Sequence, residues 1–283
     1  MKRFFAILIS LILSLNLISI PRAEEKKVEK KTDEKLEEKV EEKVEEETKV
    51  VDKKTISNLV QTALLPVGKT MYIWGGGWNE ADNGSGIEAV TLGVSSRWEE
   101  FFNEQDASYN YEYTKYQIHD GLDCSGYIGW LMYNVFETEN NQAGYVNNAD
   151  YQIYDFASLG WGEVIPYYCI ESYQCGDIMS DSGHIYLVLG SCEDGSILLA
   201  HASPPGVRIC GTPARDGNVQ SQAVALAEQV MSEHFEEWYE KYPDCLVQYF
   251  YLTNYNQFKW NDTLSDPDDL RNKSAQEVVE FLF

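Results

Sequence analysis

The stretch from Gly176 to Ile209 leaves the backbone few choices. "GDIMSDSGHIYLVLG", "SILLAHAS" and "GVRI" are rich in Ile, Leu and Val and are joined through the turn-forming "EDG" and "PPG". Short apolar runs bounded this way read as strands, and connections this tight make neighbours antiparallel. The pattern predicts a short strand, a turn, a strand at 184–189 and two further strands of four to six residues.

Upstream the period changes. Tyr127, Ile128, Trp130, Leu131 and Val135 recur at three-to-four spacing, which predicts a core helix from about Ser125 to Phe136. A first helix is expected from Ile56 to near Pro66, with Thr55 as its cap. Residues 78–118 form a long aromatic-rich insertion in which only "SSRWEEFF" has a helical pattern, and "ETENNQAGYVNNAD" reads as a polar loop. Downstream, a long polar helix is expected around 218–240, then "CLVQYFYLTNYNQFKW" as a strand and "SAQEVVEFLF" as a closing helix. A helix, a mostly antiparallel sheet and further helices together indicate an α+β domain.

That domain is expected to span 55–283. Residues 24–54 carry charged side chains at most positions and no aromatic, glycine or proline, so they cannot bury a core. They read as a solvated, partly helical spacer. Ahead of them, Lys2 and Arg3 precede an apolar run to Ile20, the layout of a secretory signal ending near Ala23, or of an anchor if uncleaved. The rest of the chain is then expected outside the membrane, secreted or associated with the cell wall, and touching a membrane only through that first segment. The net charge of −24 is carried by the expected domain, a field unsuited to nucleic acid, whose phosphates need clustered cations.

"HDGLDCSGYIGW" places Cys124 at the expected helix start, where the helix dipole and free N–H groups favour a thiolate and can stabilise an oxyanion. Two histidines supply possible companions. His184 opens one strand and His201 ends the next, so antiparallel pairing can set them side by side as a base and the group that orients it. His119 reads as a loop residue and His234 as a surface residue. Five further cysteines allow at most two disulfides if Cys124 stays free, and their pairing is not legible.

In order along the chain, "YIWGGG", "DCSGYIGWLMYNVF", "GDIMSDSGHIYLVLG" and "ILLAHASPPGVRI" resemble the NlpC/p-sixty family of cell-wall cysteine endopeptidases. The resemblance covers roughly 56–210 and, less closely, 246–252. It implies a papain-like α+β fold with the nucleophile helix packed on the sheet; the long insertion before the nucleophile and the extra C-terminal helices depart from the family pattern. It implies Cys124 as nucleophile, His184 as general base and later acid, and His201 as its orienting group. Tyr72, Asp123 and Ser125 match positions lining the pocket for a stem peptide's amino end. The implied reaction is hydrolysis of peptidoglycan stem peptides at the γ-D-glutamyl–diamino acid bond, by a monomer, with no cofactor or metal. An N-acetylmuramoyl-L-alanine amidase of the related CHAP type, or a non-catalytic wall-binding module, are the alternatives.

Overall fold

The computed structural model describes residues 53–137 and 143–283. The expected signal segment and nearly all of the charged spacer lie outside the described residues. Helix α1 (Ile56–Leu64) begins where expected, with Thr55 Oγ1 accepting the Asn58 N–H at 3.0 Å. Strand β1 (Met71–Tyr72) follows, then the insertion with helix α2 (Ser96–Glu104), strand β2 (Gly121–Leu122) and helix α3 (Cys124–Phe136). Helix α4 (Ala149–Ser158) and strand β3 (Gly162–Ile165) lead to β4 (Ile178–Ser180), β5 (Ile185–Ser191), β6 (Ile197–Ser203) and β7 (Gly206–Gly211). Helices α5 (Gln222–His234) and α6 (Glu236–Lys241), strand β8 (Asn256–Trp260) and helix α7 (Ala275–Leu282) complete the described elements.

One eight-stranded sheet runs in the order β2-β1-β7-β6-β5-β4-β8-β3. Every pairing is antiparallel except β1 with β2. The α+β class holds. The alternation of β5 to β7 divides two apolar clusters between the two faces. Leu187, Leu198, Ala200, Val207 and Ile209 join the core with α1 and α3, while Tyr186, Val188, Leu199 and Cys210 meet Val247, Tyr251 and Tyr255 opposite. Nearly every side of α3 is buried, which its almost continuously apolar sequence requires.

Three expectations need correction. The helix placed at 218–240 is two helices, broken at Phe235, whose ring packs edge-on against Phe283 and against the core, a tertiary contact that a straight helix would forgo. The strand placed over 245–260 is confined to β8. "YFYL" (249–252) is instead a 3-10 turn that delivers Tyr251 and Tyr255 to the second face of the sheet. Helix α4 starts at Ala149, inside the stretch expected as a loop, whose described residues 143–148 form neither helix nor strand.

Asp177, just before β4, is buried and accepts from Gln174 N–H at 2.7 Å and Gln257 Nε2 at 2.6 Å. Burial raises its carboxyl to about 7, against the opposing pull of those donors and of Lys259 and Arg271. The folded chain therefore keeps a proton that the unfolded chain releases near pH 4. Stability from this group is complete below that value and declines by a few kcal/mol as pH rises to about 7. Urea midpoints at about pH 4.5 and pH 7.5 should differ less in Asp177→Asn than in the wild type; an equal difference would place the pH dependence elsewhere.

Candidate active site

Cys124 is the first residue of α3, and Asp123 is its cap. Asp123 Oδ1 accepts the Gly126 N–H at 2.7 Å and the Ser125 hydroxyl at 2.9 Å, while Oδ2 accepts the Gly75 N–H at 3.2 Å. These bonds fix the helix start against the Gly75–Trp78 turn. The turn lies so close that a Cβ on Gly77 would sit 2.5 Å from Gly126 Cα, and one on Gly126 would overlap the Gly76 carbonyl. Gly77 also has φ +92°, a left-handed conformation that favours glycine. The expectation that "GGG" admits a second backbone is met, and that backbone is the first turn of α3. From the other side, Gln152 on α4 donates to Ser125 O at 3.0 Å and Tyr145 O at 2.8 Å.

The histidines do lie side by side. His184 Nε2 and His201 Nδ1 are 3.1 Å apart, with ring planes nearly perpendicular. Both belong to the second face of the sheet, where His184 also lies against Tyr186, Tyr251 and Tyr255. With Nε2 donating to His201, the lone pair at His184 Nδ1 is the one available to take a proton. His201 then carries its own proton on Nε2, a buried atom without a hydrogen-bond partner among the described residues.

Cys124 lies close to Ile185 at the start of β5. The Ile185 N–H, the amide following His184, is a hydrogen-bond donor to its sulfur. No hydrogen bond joins the Cys124 thiol to the His184 ring among the described residues; catalytic contacts of this kind often close only around substrate.

Electrostatically the site is a neutral pair. Burial pushes the Cys124 thiol far up, and the neighbouring Asp123 adds to this. The Ile185, Ser125 and Cys124 N–H groups oppose the shift without overcoming it. This corrects the expectation that the helix start alone would favour a thiolate, because the desolvation of a buried anion outweighs the dipole here. Burial, then the Arg208 cation, lowers His184 to about 3 and drives His201 well below its ordinary range. Arg208 faces His201 across the β6–β7 pairing and is itself buried, with Nη1 donating to Ser203 O at 2.5 Å and Gly206 O at 3.3 Å. It holds His201 neutral and so able to accept. Sequence reasoning missed Arg208, although the "PPG" turn sets the register that pairs it with His201.

A groove of about 430 Å³ opens above the thiol, lined by Tyr72, Trp78, Asp123, Cys124, Ser125 and Tyr151 among others. All three expected substrate-pocket residues therefore line the same groove as the cysteine. Ser125 is less free than expected, since its hydroxyl accepts from Trp78 Nε1 at 3.0 Å and donates to Asp123. Tyr72 is buried edge-on against Tyr111, and burial raises its phenol. His119 lies away from this groove, paired with Glu88. His234 stacks on Phe283. All six cysteines are free thiols. No group of side chains suited to a metal ion occurs among the described residues, and none of their helices is long and apolar enough to cross a membrane. The chain matches no protein-family model, no curated protein and no solved structure.

Proposed function

We propose that this chain is a cysteine endopeptidase acting on peptidoglycan stem peptides, at the bond between γ-D-glutamate and the diamino acid, outside the membrane. The observation that carries the reading is a groove-lining cysteine at a helix start, close to Ile185 of the strand that His184 precedes, with His184 and His201 paired at 3.1 Å. A cysteine without chemistry would need neither the paired imidazoles nor a place in the groove wall. The substrate class rests on the resemblance of the four motifs to the cell-wall cysteine endopeptidases.

Chemistry in this site starts from thiol and imidazole. His184 Nδ1 removes the Cys124 proton as the sulfur bonds to the amide carbon, and the helix-start N–H groups hold the resulting oxyanion. The imidazolium, shared with His201, then protonates the leaving amine as the carbon–nitrogen bond breaks. Water, deprotonated by His184, hydrolyses the thioester and returns the proton to sulfur.

Defined muropeptides incubated with the wild type and with Cys124→Ala, read by mass spectrometry, test this. A fragment ending in γ-D-glutamate is expected from the wild type only. Equal digestion by both proteins would overturn the mechanism, and release of an intact stem from its lactyl-ether sugar would identify an amidase instead.

A further inference from the structure

The insertion 78–118 does more than cover the core. Trp98 and Phe102 are buried in it, but other parts of the same segment enclose a second cavity of about 360 Å³ beside the first. The two cavities share Gly75, Trp78 and Asp82, and the second includes none of the residues that immediately precede His184. It therefore extends the groove from one end only.

Chemistry decides which end that is. His184 must protonate the leaving amine, so the leaving part of a substrate lies toward Ser182 and Gly183, which precede it in the groove wall. The acyl part then runs the other way, past Ser125 and the Trp78 indole bonded to it. Two extended residues beyond the attacked carbonyl span roughly 7 Å, and the chain then meets whatever the stem's amino end is attached to.

The lining suits a sugar. Tyr116 is 67 % exposed and its ring lies over Gly75, offering an open aromatic face to the C–H side of a pyranose. Around it stand planar polar groups that can take paired hydroxyls or an acetamido group. The Gln117 amide has no hydrogen-bond partner among the described residues. Arg97 is held through Nε to Asp120 Oδ1 at 2.5 Å, with its side chain 57 % exposed.

Resting on the endopeptidase reading above, we propose that this cavity is a subsite for the N-acetylmuramoyl sugar of a stem still attached to glycan. The protein then selects glycan-linked stems over released peptides.

Two measurements test this. In the first, kcat/KM is compared for a stem tetrapeptide with a free amino end and for the same peptide carrying N-acetylmuramoyl. The sugar-linked form should be favoured at least tenfold by the wild type, and the preference should fall to within twofold of unity in Tyr116→Ala and Gln117→Ala. Equal turnover of the two forms, or a preference intact in both variants, would overturn the subsite. In the second, Cys124→Ala is titrated with the disaccharide N-acetylglucosaminyl-N-acetylmuramic acid, with and without Tyr116→Ala, by calorimetry. Saturable heat lost on removing Tyr116 supports the subsite even if no stem is cut, a result that would overturn only the endopeptidase reading. Stem cleavage without sugar preference or sugar binding would overturn the subsite and leave the endopeptidase standing.

Discussion

Replacing His184 with alanine is expected to lower kcat/KM by roughly a thousandfold. The dependence on the base is steep because the thiol is protonated in the substrate-free site, with burial far outweighing the helix-start N–H groups. With no standing thiolate population, each attack needs its proton removed during the reaction. The pH profile of the wild type separates this picture from a preformed ion pair. A histidine lowered to about 3 stays unprotonated across the working range, so its protonation does not produce an acid limb near the ordinary histidine value. Asp123, raised by burial to about 6, is the group whose protonation crosses the working range. As pH falls through about 6 its carboxylate becomes a carboxyl and gives up acceptor capacity among its three donors, loosening the helix start. Activity should therefore fall with a midpoint near 6. An Asp123→Asn protein, though weaker overall, should lose that limb. If the limb persists in Asp123→Asn, a histidine with an ordinary pKa sets it. Circular dichroism of His184→Ala must match the wild type, because removing the ring also leaves His201 Nδ1 unpartnered, at a cost of about 1–3 kcal/mol.

Gly126→Ala should be nearly as damaging to catalysis while touching no reacting atom. In an exposed helix that change would stabilise by about 1 kcal/mol. Here the added methyl meets the Gly76 carbonyl and Gly77 Cα, two backbone atoms that no rotamer change can move aside. Either the Gly75–Trp78 turn or the first turn of α3 must retreat, breaking the contacts that hold Asp123 and Ser125. Overpacking of this kind costs about 1–3 kcal/mol, and a displacement of roughly 1 Å at the nucleophile costs on the order of a hundredfold in rate. The expected result is a folded protein with a lower urea midpoint and a hundredfold lower kcat. Unchanged kcat would show that the glycine contact does not position Cys124.

The strands from 178 to 211 and the start of α3 were legible because their signals are local: alternation, tight turns and an aspartate cap. Cys124 and both histidines could be singled out for the same reason. Burial is not a local property, and it reversed the expected direction of the Cys124 shift. The run "YFYLTNY" reads as a strand by its aromatics, yet Tyr251 and Tyr255 are placed by what they cover, the tyrosine and histidine side of the sheet. Phe235 breaks a helix to fill a contact that no periodicity announces. Arg208 was missed because its importance lies in a partner seven residues earlier, across a turn.

Strand β8 enters the sheet between β4, which ends at Ser180, and β3, which ends at Ile165, both made long before Asn256. The sheet consequently cannot close in the order in which the chain is synthesised. Until Asn256–Trp260 pairs with both neighbours, β4 lacks its outer partner, and Tyr251 and Tyr255 are not yet seated against His184. An incomplete chain thus holds its cysteine and both histidines without the walls that make them a site. Pairing of β8 is dominated by contacts distant in sequence, which places it late in folding.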